Sequence, residues 1–188
     1  MTALLEEIVA ALAAADIPYM LTGSFAAAVH GAGRATMDVD FVIDPTPAAL
    51  DVFVQRVLTS GRYISPEAAR EALVERGMFN VVDAATGWKV DLIMRKERAF
   101  SHSEFARRST LALGALHLPV ATVEDLVLAK LEWAKLGGSA RQLDDVRALL
   151  HAAGERFDHA YMTEWVESLG VGTQWRALRA ENDANHSP

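Results

Sequence analysis

Two aspartates interrupt the apolar segment "MDVDFVI", residues 37–43. Side chains alternate between the two faces of a strand, so Asp38 and Asp40 point to one face and the apolar residues beside them point to the other. The two Cα atoms lie about 6.6 Å apart in an extended strand, and carboxylates this close repel each other unless a cation lies between them. Since an unpaired buried charge is strongly unfavourable, the segment predicts one apolar face and one acidic face that holds a cation.

Magnesium suits such an acidic face, because it prefers oxygen ligands and keeps coordination places open for water and phosphate groups. A third aspartate, Asp91, lies among apolar residues of the predicted strand 88–94, and an adjacent strand position would bring it beside the first pair. Three carboxylates suit two metal ions, so we expect Asp38, Asp40 and Asp91 to bind Mg²⁺, with Mn²⁺ as a substitute. The simpler alternative is that each aspartate lies on a solvated sheet face or at a strand end.

A Gly-Ser pair precedes the acidic strand. Gly23 and Ser24 end the predicted strand 19–22, and Ser24 is suited to cap a short Ala-rich helix. Backbone N–H groups at a helix start and a serine hydroxyl are phosphate ligands, which complement carboxylates that hold a metal. Arg34 and Thr36, in a Gly-flanked loop, either reach a triphosphate or lie in a solvated loop.

Periodicity elsewhere indicates helices and strands in alternation, followed by a purely helical end. The predicted elements are an N-terminal helix of about 14 residues, helices 48–58 and 103–108 with another from Ser65, a hairpin 79–82 and 88–94, and a brief strand 115–118. From Thr122 onward every pattern is helical, with caps at Thr122, Ser139 and Asp158. We therefore expect an α/β (α+β) core over residues 1–119 and a C-terminal helical subdomain over 120–188.

Composition excludes several classes of protein. The 188 residues are 51% hydrophobic and include no cysteine, which is enough apolar material for a sizeable core and excludes thiolate metal sites and disulfides. No apolar run is long enough to span a membrane and no signal-peptide pattern opens the chain, so a cytoplasmic protein without a membrane partner is expected. The net charge of −7 argues against a nucleic-acid coat protein. Residues 89–108 carry a local excess of lysine and arginine, which is typical of a solvated face and would guide a triphosphate or an RNA acceptor end if it adjoins the metal site.

The helical end carries an unusual lysine. Lys130 falls on the apolar face of its predicted helix, where it either extends its amine past the edge of the core or points into a cleft. Asp145, near the apolar stripe of the next helix, is a candidate partner for an ion pair. Trp133, Trp165 and Trp175 are expected to pack the helical end rather than to stack on bases.

The order Gly23-Ser24, thirteen residues, then Asp38-Val39-Asp40-Phe41 resembles the signature of the polymerase-β nucleotidyltransferase superfamily. The strings "HGAGRATMDVDF" and "VEDLVLAKLEWAKLGGSARQLDDV" resemble more particularly the minimal nucleotidyltransferases grouped with AbiEii-type toxins. The likeness covers roughly residues 17–150.

This resemblance implies a small mixed β-sheet flanked by helices. It also implies that Gly23 and Ser24 hold the triphosphate of a nucleotide, that Asp38, Asp40 and Asp91 hold two Mg²⁺ ions, and that Asp91 is the base or the ligand of the activating metal. Lys130 would meet the nucleotide phosphates, and Asp145 matches the aspartate that follows such a lysine.

The expected function is transfer of a nucleoside monophosphate from a triphosphate to an acceptor hydroxyl. The resemblance implies an RNA 3′ end such as that of tRNA, or a protein side chain, as acceptor, and a toxin held in check by a cognate antitoxin. The alternative is a non-catalytic nucleotide-binding or partner-binding module with the same fold. The oligomeric state and the base of the nucleotide are open at this stage.

Overall fold

The structure is a computed structural model that describes residues 2–33, 36–154 and 157–185. Helices and strands are interspersed up to Val120, and every described element after Val120 is a helix. In chain order they are α1 (Thr2–Ala14), β1 (Tyr19–Thr22), α2 (Gly23–Val29), β2 (Asp38–Ile43), α3 (Pro47–Thr59), β3 (Tyr63–Ile64), α4 (Pro66–Glu75), β4 (Met78–Val82), β5 (Lys89–Met94), α5 (Ala99–Arg107), β6 (Ser109–Leu113), β7 (Leu116–Val120), α6 (Val123–Gly137), α7 (Ala140–Ala153), α8 (His159–Ser168) and α9 (Gly172–Asn185). The expected mixture of helices and strands is confirmed.

The strands form one mixed sheet of seven, in the order β3-β4-β5-β2-β1-β7-β6. The pairs β2–β5 and β1–β7 are parallel, and the remaining neighbours are antiparallel. The central strands β2 and β5 are therefore joined by a crossover connection that contains α3, β3, α4 and β4, since parallel neighbours cannot be joined by a tight turn.

One face of the sheet is fully apolar in its centre. Phe41 on β2 and Leu92 on β5 have no exposed surface, and Phe79 on β4 is 3% exposed. The ring of Phe53 on α3 meets the ring of Phe79 edge to face at 6.4 Å, so α3 covers this face. Alternation then directs the other residues of β2 and β5 to the opposite face.

The chain divides into two compact units. The first comprises the chain up to Phe25 and the segment that ends at Ala121, and it contains the whole sheet. The second comprises the segment that begins at Ala26 and the chain from Thr122 onward, and it contains α6 to α9.

Buried carboxylates and aromatic rings stabilise the second unit, called the helical unit below because it contains α6 to α9. Asp125, fully buried in the first turn of α6, accepts hydrogen bonds from the hydroxyls of Tyr161 at 2.6 Å and Thr122 at 2.7 Å. Trp165 and Trp175 are 9% and 8% exposed, as expected. The expectation for Trp133 is wrong: this side chain is 62% exposed on α6.

Some element boundaries differ from those expected from the sequence. The strands β3 and β6 have no counterpart among the expected elements, and α5 begins at Ala99 rather than near Ser103. Both missed strands lie at edges of the sheet, where only one neighbour constrains the side chains, and β6 has no fully buried residue that would produce a clear alternation. In addition, α2 begins at Gly23, so Ser24 lies in its first turn rather than at a cap before it.

None of the described helices is long and apolar enough to cross a membrane.

Asp83, at the turn between β4 and β5, gives a pH prediction. The hydrogen bond from the Thr86 hydroxyl at 2.7 Å lowers the pKa of this carboxyl most, and the Ala85 N–H and the Arg62 guanidinium at 2.8 Å lower it further, against the effect of burial. Because the pKa is lower in the folded chain than in the unfolded one, the ionised form stabilises the fold above about pH 4, and this stabilisation is lost as the pH falls through the folded pKa.

We therefore expect Asp83→Asn to be less stable than the wild type at pH 7, with a difference that narrows as the pH falls below about 4. Urea denaturation at a series of pH values measures this difference. Asp51→Asn, at a carboxylate 57% exposed on α3, controls for the loss of one charge. A difference between Asp83→Asn and the wild type that is constant with pH would contradict the prediction.

Candidate active site

The parallel pairing of β2 with β5 sets the acidic face. Asp40 lies directly opposite Asp91, and Asp38 lies opposite Lys89. Directly paired residues point to the same face of a sheet, and residues two apart on one strand also do so. All four side chains therefore project from the face opposite Phe41 and Leu92, which explains how carboxylates occur in strands with a fully buried apolar side.

Gly23 approaches the carboxylate of Asp40 so closely that only glycine fits. A Cβ atom at this position would lie 2.0 Å from Asp40 Oδ2 and 2.7 Å from its Cγ, far inside van der Waals contact. The backbone of Gly23 also has φ +69°, which side-chain-bearing residues rarely adopt. The Gly-Ser turn at the end of β1 is thus packed against the acidic face, with Ser24 immediately after it in α2.

Asp91 is buried, and only one of its two carboxylate oxygens has a partner among the described residues. The residue is 6% exposed, and its Oδ2 lies 2.9 Å from the ammonium of Lys89. Its Oδ1 is buried and receives no hydrogen bond from any described residue. A buried carboxylate oxygen without a donor is unfavourable, so Oδ1 indicates a position where a cation would stabilise the site.

Asp38 and Thr36 form the entrance to the acidic strand. The Asp38 side chain is 57% exposed, and its Oδ1 lies 3.7 Å from Lys89 Nζ. The Thr36 hydroxyl accepts a hydrogen bond from the Asp38 N–H at 3.2 Å and donates one to the Asp38 carbonyl at 3.3 Å. Thr36 therefore fixes the backbone that carries Asp38. Arg34, the other loop residue expected to reach a triphosphate, lies outside the described residues.

Lys89 is a residue of this face that was not expected to contact the aspartates. The hydrogen bond to Asp91 raises the pKa of Lys89, as do the charges of Asp91, Asp38 and Asp40, while partial burial lowers it. The lysine is therefore cationic at neutral pH and offsets part of the negative charge of the three aspartates. The alternation that put Asp38 and Asp40 on one face applies equally to Lys89 and Asp91, and it would have found this lysine.

Asn80 on β4 and Thr22 on β1 extend the same face. Asn80 pairs with Asp91, and Thr22 pairs with Asp40, so a polar row crosses four neighbouring strands. Neither residue was expected at the site. The signal for Asn80 is its place between two buried residues of β4, Phe79 and Val81.

The donors of this face suit a hard divalent cation. They are carboxylate oxygens, one of them buried without a donor from the described residues, and the absence of a side chain at Gly23 lets the turn lie directly against the Asp40 carboxylate. Within the described residues, no three Asp, Glu or His side chains are already close enough to hold a metal ion. The ammonium of Lys89 lies beside both Asp38 and Asp91, within 3.7 Å of each.

Lys130 and Asp145 form a buried ion pair in the helical unit. Lys130 Nζ lies 2.6 Å from Asp145 Oδ2 and 3.4 Å from Gln142 Oε1, and the two charged side chains are 6% and 9% exposed. The amine does not extend past the core into solvent. By contrast, the neighbouring Asp144 is 72% exposed and pairs with Arg147.

Breaking this buried pair is expected to destabilise the protein strongly. Lys130→Met or Asp145→Leu alone leaves an uncompensated buried charge, which costs about 3–5 kcal/mol, whereas the double variant removes both charges and costs much less. Urea denaturation of the four proteins in a double-mutant cycle measures this coupling. Asp144→Asn, at an exposed pair, should change the free energy of unfolding by less than about 1 kcal/mol. Additive single effects would show that the pair is not coupled.

Solved structures resemble the chain over most of its length. A solution structure of the antibiotic-resistance factor ANT(2'')-Ia shares 15% identity at a TM-score of 0.57, covering 98% of this chain and 97% of that one. A crystal structure of ANT(2'')-Ia in complex with adenylyl-2''-tobramycin gives 13% identity and a TM-score of 0.55, with 96% and 97% covered. The chain has a nucleotidyltransferase fold.

A third structure agrees with this fold. An antigenic nucleotidyltransferase-like protein from Paracoccidioides brasiliensis shares 17% identity at a TM-score of 0.50, covering 79% of this chain and 73% of that one. No protein-family model and no curated protein matches the sequence. At these identities the likeness establishes the nucleotidyltransferase fold and leaves the reaction to be inferred from the residues.

Proposed function

We propose that the protein is a nucleotidyltransferase that moves a nucleoside monophosphate from a triphosphate to an acceptor hydroxyl. The observation that carries this conclusion is the contact between the Gly23 turn and the Asp40 carboxylate, opposite Asp91 with its unpartnered buried oxygen. A turn suited to phosphates and an acidic pair suited to a cation are thereby adjacent, as transfer of a charged phosphoryl group requires.

In the proposed reaction the acceptor oxygen attacks the α-phosphorus, the bond between that phosphorus and the bridging oxygen breaks, and pyrophosphate leaves. Asp40 and Asp91, with Asp38 at the entrance, would hold two Mg²⁺ ions, for which Mn²⁺ can substitute. Bound Mg²⁺ supplies charge stabilisation at the attacking and leaving oxygens. Gly23 and Ser24 orient the triphosphate, and the acceptor hydroxyl gives its proton to Asp91 or to water.

Lys130 and Asp145 enter this function on the resemblance to AbiEii-type proteins alone, as nucleotide-binding residues. Their buried ion pair supports the expected pairing and is equally what a structural role needs. A folded Lys130→Met/Asp145→Leu variant distinguishes the two roles: a nucleotide-binding role requires a raised KM for the triphosphate, and an unchanged KM leaves a structural role.

The same resemblance supports an RNA 3′ end such as that of tRNA, or a protein hydroxyl, as acceptor, in a toxin restrained by an antitoxin. A second acceptor class, a hydroxyl of a small aminoglycoside-like molecule, is favoured by one observation. ANT(2'')-Ia, which matches this chain almost end to end, has been crystallised with adenylyl-2''-tobramycin.

Incubation of the purified protein with each α-labelled triphosphate, Mg²⁺ and one acceptor class at a time tests the function. Total RNA, total protein and tobramycin are the three acceptor samples. We expect label in one of them, and none without divalent cation. Label in no sample, with the protein folded and supplied with every triphosphate, would leave a non-catalytic binding module. Growth arrest on expression, relieved by an adjacent gene, would support the toxin role.

A further inference from the structure

The ammonium of Lys89 lies where the acidic face has its highest density of negative charge. Its Nζ is 2.9 Å from Asp91 Oδ2 and 3.7 Å from Asp38 Oδ1, and Asp40 is opposite Asp91 in the sheet. Lysine is a compact point charge on a flexible stem, so it can compensate two carboxylates without binding either of them bidentately.

Lys89 compensates only part of the negative charge of the three aspartates. It contacts one oxygen of Asp91, while Oδ1 of the same carboxylate is buried without a donor from the described residues. One ammonium also offsets one negative charge, whereas the face carries three aspartates. A divalent cation would bring twice the charge and a second bond to the same carboxylate.

We propose that Lys89 is an internal counter-ion that competes with a divalent cation for Asp91 Oδ2 and is displaced when the cation binds. This rests on metal binding at the acidic face, which is part of the proposed function. The lysine side chain is 35% exposed, so the displaced ammonium has a short path to solvent. The lysine stabilises the aspartates in the metal-free protein and weakens binding of the free cation.

Metal binding, rather than activity, tests this competition. The full chain and the variants Lys89→Met, Lys89→Arg and Lys96→Met are titrated with Mn²⁺ by calorimetry and by electron paramagnetic resonance, and their melting temperatures are compared in EDTA and in Mn²⁺. Methionine keeps the length of the apolar stem and removes the charge. Lys96 is exposed beyond the far end of β5, roughly 20 Å along the chain from Lys89, so its variant controls for net charge alone.

We expect Lys89→Met to bind Mn²⁺ about tenfold more tightly than the wild type, with Lys89→Arg and Lys96→Met close to the wild type. In EDTA, Lys89→Met should melt at a lower temperature because the carboxylates then repel each other without a counter-ion, and Mn²⁺ should restore the loss. Adding Asp91→Asn should abolish the Mn²⁺ effect in either background.

Every other outcome would contradict the proposal that Lys89 competes with the cation, and each would do so for a different reason. Equal affinity in Lys89→Met and the wild type would mean that the cation binds Oδ1 while Lys89 keeps Oδ2. Weaker binding in Lys89→Met would mean that the lysine organises the metal site. In both cases metal binding, and with it the proposed function, is retained. Absence of Mn²⁺ binding in every variant at millimolar concentration would overturn both the competition and the metal part of the proposed function.

Discussion

Replacing Asp40 with asparagine is expected to abolish nucleotidyl transfer, with a loss of about a thousandfold or more. Asp40 is central to the acidic face, because its carboxylate contacts the Gly23 turn on one side and its backbone pairs with Asp91 on the other. Asparagine has nearly the same shape but no charge, so it weakens cation binding without creating a cavity. The rate of label transfer from an α-labelled triphosphate measures the effect.

The matched control is Asp51→Asn, which removes a carboxylate that is 57% exposed on α3 and pairs with Arg70. This variant should transfer label at the wild-type rate. Equal melting temperatures for the two variants would show that the loss in Asp40→Asn is chemical rather than structural. Wild-type transfer by a folded Asp40→Asn protein would remove the acidic strand from the mechanism.

Gly23→Ala is expected to have the second largest effect. The added Cβ would lie 2.0 Å from Asp40 Oδ2, so the carboxylate or the turn must move by more than an ångström. Since small displacements of catalytic groups reduce rates steeply, transfer should fall by about a hundredfold or more. The left-handed backbone at Gly23 adds a stability cost of about 1 kcal/mol for any side-chain-bearing residue.

Gly61→Ala separates these two contributions. Gly61 also has a positive φ, +80°, but a Cβ there would meet no atom within 4 Å. Backbone strain should lower the stability of both variants, and any further loss in Gly23→Ala, measured by urea denaturation, reports the clash with Asp40. Only Gly23→Ala should lose transfer. A similar activity in the two variants would show that the turn and the acidic strand are not coupled in the reaction.

The shared face of the three aspartates could be predicted because strand alternation is strict. Asp38 and Asp40 needed only this rule, and Asp91 needed the further assumption that β5 pairs with β2. Lys89 obeys the same rule but was interpreted as one of a run of surface cations. Local charge density along a sequence does not reveal which cation shares a strand face with which carboxylate.

Helical periodicity predicts which side chains share a face of a helix, but it does not predict which other element packs against that face. Periodicity placed Lys130 on the apolar face of α6 and left open whether its amine reaches solvent or points into a cleft. The amine is buried and pairs with Asp145, the candidate partner on the next helix. Trp133, in the same helix, was expected to be buried because it is aromatic, yet it is 62% exposed. Hydrophobicity alone does not determine whether another element covers a residue.

The close contact between Gly23 and Asp40 could not have been foreseen from the sequence. The family resemblance implied that the Gly-Ser turn and the acidic strand serve one site, but the spacing between the two segments does not predict a direct contact of Gly23 with the Asp40 side chain. The contact depends on the antiparallel register of β1 with β2, which puts Thr22, the residue before the turn, opposite Asp40. Register between strands depends on the whole sheet and is not encoded in either segment alone.

A crystal structure with Mn²⁺ and a non-hydrolysable nucleoside triphosphate tests the central claim most directly. We predict anomalous density for the metal between Asp40 and Asp91 and the triphosphate against the turn at Gly23 and Ser24. Metal or triphosphate bound elsewhere, such as in the surface pocket beside Tyr19 and Arg108, with Asp40 and Asp91 uncontacted, would contradict the account.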